Sequence, residues 1–510
     1  MHLTYTGDGK YANAARSFRE GGKVKKTYIH LGKVVDKDKG IYDHKEIGLV
    51  GFDLDKGEFV KVVQADVVPR PLVDEKLILD FGDTYFLDWY IRDRGFMGCI
   101  DRIDVPELDT LRALVVFYIV SGEAVCHAME WYTGNYASII YPKANMDGRR
   151  ISEFYESLGQ EYNYRSFFDT YIPLVTKNSD NVKVIIDSTG LPNDVHMPDT
   201  AISNHNGDIS NEVRLIVVMD KDRNMPLFAR YVPGNIVDSS TLIRTIMELR
   251  QQGVRCSYAL MDAGYPTEAN IRELYDSKID FMARLDSGSD LYKGLMDETL
   301  QNIVDRENFT LYGERRLYVK KVPCDLAMFC PGFAYCILDV DRKNQEDSVL
   351  AKKAFKEGLT AGEAFDSMSR TGFLVIMSNM DLKNSEVLPD YYARQYIEQF
   401  LDIGKGSASL LPLRVHSEDT FRGHLLVAFI AAAVVQNLQN ELTELGKVKK
   451  QGSERRTGNK SPNMVSALMD FRNQKCKVYD EVILPREPQA KANAVYRLFG
   501  LDVPYAIPRR

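Results

Sequence analysis

Tyr-Tyr-Ala-Arg-Gln-Tyr-Ile-Glu-Gln-Phe-Leu-Asp-Ile-Gly-Lys, residues 391–405, sets Tyr391, Arg394, Glu398 and Lys405 at steps of three, four and seven. In a helix those steps return to one face, so the spacing predicts four aligned side chains, on a helix that Pro389 opens. A glutamate with an arginine one turn before it and a lysine two turns after it suits a carboxylate that holds a metal ion beside a polyphosphate chain. Asp402, one turn beyond Glu398, is a rival for that carboxylate role. Tyr392 is the matching ambiguity for Tyr391, although only Tyr391 keeps the spacing.

Two upstream stretches each run an apolar segment into an aspartate followed by small residues: Val182–Gly190, which contains Asp187, and Tyr258–Tyr265, which contains Asp262. Both read as strands with an acid at the end. Around them, Val213–Met219 and Leu227–Val232 read as a hairpin with the polar tip Asp220–Asn224. Ser239 or Ser240 is expected to cap a helix through Gln252, closed by Gly253. A helix at Thr267–Asp276, strands at Phe281–Leu285 and Phe373–Met377, and a helical pattern over Gly423–Leu445 complete the expected core. The chain carries 72 acids, and an acid at a strand end is often only a turn former, so no single one of the three carboxylates carries weight alone. Their weight comes from their order and from the helix spacing.

The pattern Y-x2-R-x3-E-x6-K, with the two strand-borne aspartates before it, resembles the signature of bacterial insertion-sequence transposases of the DDE type, in insertion-sequence family 4. The resemblance implies an α/β fold with a ribonuclease-H-like catalytic core, a mixed sheet flanked by helices. It also implies a β-rich insertion, placed at residues 286–370 because 135 residues separate Asp262 from Glu398. Asp187, Asp262 and Glu398 are then the catalytic and metal-binding triad, holding two Mg²⁺ ions about 3.5–4 Å apart, with Mn²⁺ able to substitute. Tyr391, Arg394 and Lys405 are then DNA contacts near the cut, the arginine forking to two phosphate oxygens and the lysine acting as a point charge. The implied partners are double-stranded DNA, as inverted repeats and as target, with a dimer in the DNA complex. Some relatives stack a flipped base on a tryptophan of the insertion, but here the tryptophans are Trp89 and Trp131, both upstream. Phe309 or Tyr312 is left for that role.

Composition bounds the rest. The chain has 510 residues, 45% of them apolar, and its longest uninterrupted apolar run, Leu425–Val435, is 11 residues, so no membrane span is expected. The N-terminal segment has no basic stretch leading into an apolar one, which gives a cytoplasmic expectation. Seven scattered cysteines without a C-x-x-C pair argue against a disulfide framework or a zinc knuckle. Cys324, Cys330 and Cys336 read as buried strand thiols. His196, His205, His416 and His424 lack metal spacing, and Gly404–Ser407 lacks the residues of a phosphate loop.

Net charge is −7, unfavourable for DNA binding as an average, but it is segregated. Residues 10–33 hold seven Lys/Arg against Glu20 alone, residues 447–460 hold six against Glu454 alone, and residues 74–109 hold ten acids against four bases. The expected organisation is a small basic β-rich module (1–65), a helical DNA-binding or dimerisation region (66–175), the first part of the core (176–285), the insertion (286–370), the second part of the core (371–446) and a basic C-terminal region (447–510). The first two would form an N-terminal β/helical DNA-binding region. A nuclease of the same fold without strand transfer, or a retired transposase kept as a DNA-binding protein, would share most of these features.

Overall fold

The computed structural model describes residues 1–62, 77–179, 181–193, 195, 197–203, 209–406, 410, 411, 413, 415–452 and 464–509. The chain folds as two compact units. One comprises Met1–Ile78, Lys477–Pro485 and Pro504–Arg510, and the other Leu79–Cys476 and Arg486–Val503. In the first unit, six antiparallel strands follow one another in chain order across a single sheet: His2–Thr6, Tyr11–Glu20, Lys23–Asp36, Ile41–His44, Gly48–Asp53 and Glu58–Lys61. Its core is small, built on Ala12, Ala14, Leu31, Tyr42 and Val50.

The second unit is mixed α/β, and its sheet positions the site. The strands are β1 (Asn181–Pro192), β2 (Ser210–Asp220), β3 (Met225–Pro233), β4 (Arg255–Met261), β5 (Asp280–Arg284), β6 (Phe309–Tyr312), β7 (Arg315–Ala327), β8 (Cys330–Asp339) and β9 (Phe373–Ser378). They lie in the order β3-β2-β1-β4-β5-β9-β8-β7-β6, with the short strand Ala201–Ser203 added on β2. β1, β4 and β5 run parallel, and the other pairings are antiparallel. Parallel strands need both faces covered, which is why Val184–Ile186 of β1 and Tyr258–Met261 of β4 are short, fully buried apolar runs.

Helices α1 (Leu108–Val120) and α2 (Gly148–Leu158) precede the sheet, and α3 (Leu242–Gln251) and α4 (Glu268–Asp276) connect its parallel strands. Thr267, expected as the first residue of a helix, instead caps α4, its hydroxyl accepting from the Asn270 N–H at 3.2 Å. α3, by contrast, starts after Thr241, behind a 3-10 turn at Asp238–Ser240, so neither Ser239 nor Ser240 is its cap.

The insertion departs from expectation. Its strands β6, β7 and β8 join the core sheet through β9, whereas α5 (Val340–Glu357) and α6 (Ala361–Met368) make the latter part of residues 286–370 helical. Phe309–Tyr312, Arg316–Val322 and Phe333–Leu338, rich in aromatic and β-branched residues, point to strands, but nothing in such a run names the sheet it joins. The stretch carrying the predicted signature also differs. It forms two helices, α7 (Asn384–Tyr392) and α8 (Gln395–Lys405), with a turn at Ala393 and Arg394 between them. Pro389 lies inside α7, which begins five residues earlier where Glu386 accepts the Lys383 backbone N–H at 3.2 Å.

The long helix α9 (Glu418–Gly452) packs on α8, α1 and α2. By length and composition Glu418–Leu445 is apolar enough to cross a membrane, but 89% of its apolar window is buried inside the protein, as in a core helix. α9 and the chain leaving α2 touch backbone to backbone. A Cβ on Gly159 would stand 1.7 Å from the Asp419 carbonyl oxygen, and one on Gly423 would stand 2.1 Å from that of Tyr155. The residues from Phe86 to Val175 share one hydrophobic cluster with the strands and α9, so the division expected near residue 175 marks a change of secondary structure and not of packing. Trp89 and Trp131 are partly buried against that cluster.

Candidate active site

Parallel pairing of β1 with β4 ends at Ile186 opposite Met261. The next residue on each strand is an aspartate, so Asp187 and Asp262 sit side by side where the parallel ladder stops. Asp262 follows the last residue of its strand. Asp187 does not end its own: β1 continues to Pro192 along β2, with Asp187 opposite Val217. The sequence reading of both as strand-terminal acids is therefore corrected for Asp187.

Arg394, in the turn between α7 and α8, reaches all three predicted carboxylates. Its Nη1 donates to Asp187 Oδ2 at 2.9 Å and to Asp262 Oδ2 at 3.0 Å, and its Nη2 donates to Glu398 Oε1 at 2.7 Å. Tyr391 Oη donates to Asp262 Oδ1 at 3.3 Å. Lys405 lies one step away, its Nζ donating to Thr189 Oγ1 at 2.6 Å. The i,i+3 and i,i+4 spacing survives the break in the helix because Ala393 and Arg394 keep right-handed helical dihedrals.

The rivals fall elsewhere. Asp402 is exposed, and its backbone oxygen accepts from Gly406 N–H. Tyr392 turns to the insertion, stacking on Tyr312 at 5.2 Å between centroids and accepting from Arg315 Nη1 at 3.2 Å. Phe309 packs edge-on against Tyr318. His424 is buried between Tyr118 Oη at 2.9 Å and the Leu410 carbonyl oxygen at 3.1 Å. Cys330 and Cys336 are buried and Cys324 partly so, all as free thiols. His196, His205 and most of the 447–460 basic run lie outside the described residues.

Burial dominates the electrostatics. It pushes the Asp187 carboxyl up to about 7, with Asp262 and Asp238 adding to the rise and Arg394 and the Ser188 N–H opposing it. Burial raises the Tyr391 hydroxyl and Asp262 raises it further, so Tyr391 stays a neutral donor. Burial lowers the Lys405 ammonium. For Arg394 the burial penalty on its charge is outweighed by Asp187 and Asp262.

Sequence reading missed the support behind Asp187. Asp238 accepts from Ser188 Oγ and, at 3.1 Å, from Arg214 Nη1, while Ser188 N–H donates to Asp187 Oδ1 at 2.9 Å. One signal was present: Arg214 is a charge inside the otherwise apolar run Val213–Met219, and a cation buried in a strand demands an acid.

Three carboxylates brought together on one cationic group fit divalent metal ions in their chemistry, since hard cations take oxygen ligands. Among the described residues no three acids, histidines or cysteines stand in metal-holding geometry, and Arg394 takes the central place between these three.

Residues 178–434, half of the chain, match the family described as the transposase DDE domain. None of the curated proteins matches the sequence. Among solved structures, a piggyBac transposase synaptic complex with hairpin DNA, determined by cryo-EM, shares 12% identity over 73% of each chain, with a TM-score of 0.36, too low to bear on fold or partner.

Proposed function

Because the chain belongs to the family of DDE-domain transposases, we propose that it binds the inverted terminal repeats of its own element, cleaves DNA at those ends and joins the resulting 3′-hydroxyls to target DNA. The Y-x2-R-x3-E-x6-K spacing supports membership of insertion-sequence family 4, and the sheet order β3-β2-β1-β4-β5 supports a ribonuclease-H-like core. The observation that carries the reading is the meeting of Asp187, Asp262 and Glu398 on one guanidinium, from two strand positions and a helix far apart in the chain.

Asp187, Asp262 and Glu398 are the residues that would hold two Mg²⁺ ions, with Mn²⁺ able to substitute; when bound, these ions activate the attacking hydroxyl and neutralise charge on the leaving oxygen. Arg394 then turns from the carboxylates to phosphate oxygens, which its planar fork matches in the same way. Lys405 adds a point charge two turns beyond Glu398, and Tyr391 supplies a neutral donor. In the first step water attacks the phosphodiester and the P–O3′ bond breaks, leaving a 3′-hydroxyl and a 5′-phosphate. In the second, that 3′-hydroxyl attacks a target phosphodiester, and the displaced 3′-oxygen takes the proton. Two ends must be held together, so a dimer is the working form on DNA, in the cytoplasm of a bacterial cell.

The test is a strand-transfer assay with precut end duplexes, a supercoiled plasmid and Mg²⁺. Joined products that vanish in Asp187→Asn, Asp262→Asn and Glu398→Gln support the reading. Cutting without joining would leave a nuclease, and DNA binding with neither would leave a retired transposase.

A further inference from the structure

We propose that the two-stranded ribbon formed by residues 16–28 of the N-terminal unit enters the major groove of the element's end DNA and serves as its recognition arm. The inference rests on the transposase reading for the identity of the DNA, and on the geometry of this segment for everything else.

The second and third strands, Tyr11–Glu20 and Lys23–Asp36, pair from Tyr11↔Lys33 to Glu20↔Lys23. Their neighbours stop short. The first strand covers only Tyr11–Ala15, and the fourth covers only Lys33–Asp36. Beyond Ala15 no strand among the described residues pairs with either edge of the ribbon, and every residue from Arg16 to Tyr28 is exposed. Gly21 and Gly22 close it with φ of +59° and +76°, the left-handed pair that a two-residue I′ turn requires. The six residue pairs from Ala15↔Tyr28 to Glu20↔Lys23, at about 3.4 Å each, make an arm about 20 Å long.

The side chains on this arm are those that meet DNA. Arg16, Arg19, Lys23, Lys25 and Lys26 stand against Glu20 alone, a local charge of +4 on a chain of net −7. One face presents Arg16, Phe18, Lys23 and Lys25, with Lys25 paired to Glu20 at 2.7 Å. The other presents Arg19, Lys26 and Tyr28, and the residues facing Arg19 and Lys26 across the ribbon are Val24 and Ser17. Phe18, Val24 and Tyr28 are 41%, 60% and 59% exposed, which leaves apolar surface open on both faces.

Charged side chains, lysine above all, keep a strand edge from aggregating. Five cations on both faces, interleaved with aromatics, go beyond that need. The major groove, about 12 Å wide, admits a two-stranded ribbon. Its flanking phosphates would meet Arg19, Lys25 and Lys26, and its thymine methyl groups would meet the aromatic ring on the inward face, Phe18 on one face of the ribbon or Tyr28 on the other.

The experiment uses the full chain and a fluorescein-labelled duplex carrying one terminus of the element, taken from the DNA beside its gene, with a scrambled duplex as control. Binding is measured across a salt series for wild type, the triple variant Arg19→Ala/Lys25→Ala/Lys26→Ala, and Phe18→Ala/Tyr28→Ala. Each lost phosphate contact lowers the slope of log K against log salt by about 0.9, so the triple variant should lose about 2.7 and bind at least tenfold more weakly. The aromatic variant should narrow the gap between the end duplex and the scrambled one. Arg19→Ala and Lys26→Ala alone, each expected to cost about 0.9 in slope, serve if the triple variant misfolds by circular dichroism. Wild-type slope and affinity in the charge variants would overturn the proposal, as would competition by polyglutamate as strong as that by DNA. Mg²⁺-dependent nicking of the same duplex by wild type reports on the transposase reading separately. Nicking with ribbon-independent binding overturns the arm alone, whereas ribbon-dependent binding without nicking overturns the catalytic reading alone.

Discussion

Replacing Asp187 by asparagine should make the protein more stable at alkaline pH while abolishing its chemistry. The carboxyl is pushed to about 7 in the folded chain against 3.8 for the free side chain. Between those values the folded state keeps a proton that the unfolded state releases, so the contribution of Asp187 to stability is greatest below about pH 4 and is lost as pH rises through 7. Above 7 the deficit is complete. About three units at about 1.36 kcal/mol each is about 4 kcal/mol, an order-of-magnitude figure for a side chain that is only 14% exposed. Asparagine keeps the shape and removes the charge but offers one acceptor where the carboxylate offers two, to Ser188 N–H and to Arg394, returning roughly 1 kcal/mol. The net gain at pH 8 is about 3 kcal/mol, or roughly 3 °C in melting temperature for a unit of this size. Thermal melts of both proteins in EDTA from pH 4 to pH 8.5 measure it, and the difference should grow across that range. A variant that melts at or below wild type at pH 8, or a difference that ignores pH, would refute the view of Asp187 as a buried charge held against its own cost.

Arg394→Ala leaves three acids without their shared cation and should cost about 2 kcal/mol at pH 8, the low side for a broken ion pair because Glu398 is half exposed. Urea denaturation in EDTA checks it, and Mn²⁺ should raise the melting temperature more in this variant than in wild type. Glu398→Gln should reduce Mg²⁺-dependent end cleavage to background while Asp402→Asn retains it; the reverse would mean that the wrong face of α8 had been assigned. Asp238→Asn, which weakens the hold of Arg214 and Ser188 behind Asp187, should slow cleavage without changing affinity for the end duplex, and loss of both together would make its role structural. Gly423→Ala should destabilise by about 3 kcal/mol, since the Tyr155 carbonyl oxygen stands where the methyl would go, and a wild-type melting temperature would contradict the close approach.

How far the sequence could be read depended on whether the signal was local. The apolar run Val182–Ile186 and the hairpin around Asp220–Asn224 declared themselves because burial on both faces leaves continuous hydrophobic strings. The 391–405 spacing anticipated which side chains meet, yet could not reveal the turn at Ala393 and Arg394, since a break that keeps right-handed dihedrals leaves the i,i+4 relation intact. Nothing local told that β9 lies between β5 and β8, because strand partnership is a property of the whole sheet. α5 and α6 bury almost no side chains, Ala354 alone in α5 and none in α6, so no apolar face marks them in the sequence. The Asp238 support joins residues 24 and 50 positions apart, beyond any local window.

The placement of Arg394 also carries a consequence for synthesis. It lies 207 positions after Asp187 and 132 after Asp262. At roughly 5–20 residues per second on the ribosome, the two aspartates precede their common cation by tens of seconds or less, with β9 and both helices of the signature still to be made. An unfinished chain therefore holds two adjoining acids and neither the glutamate nor the arginine that completes the site. On the proposed assignment, a polypeptide released by a nonsense codon before Glu398 would lack the chemistry toward DNA however well its first strands had folded.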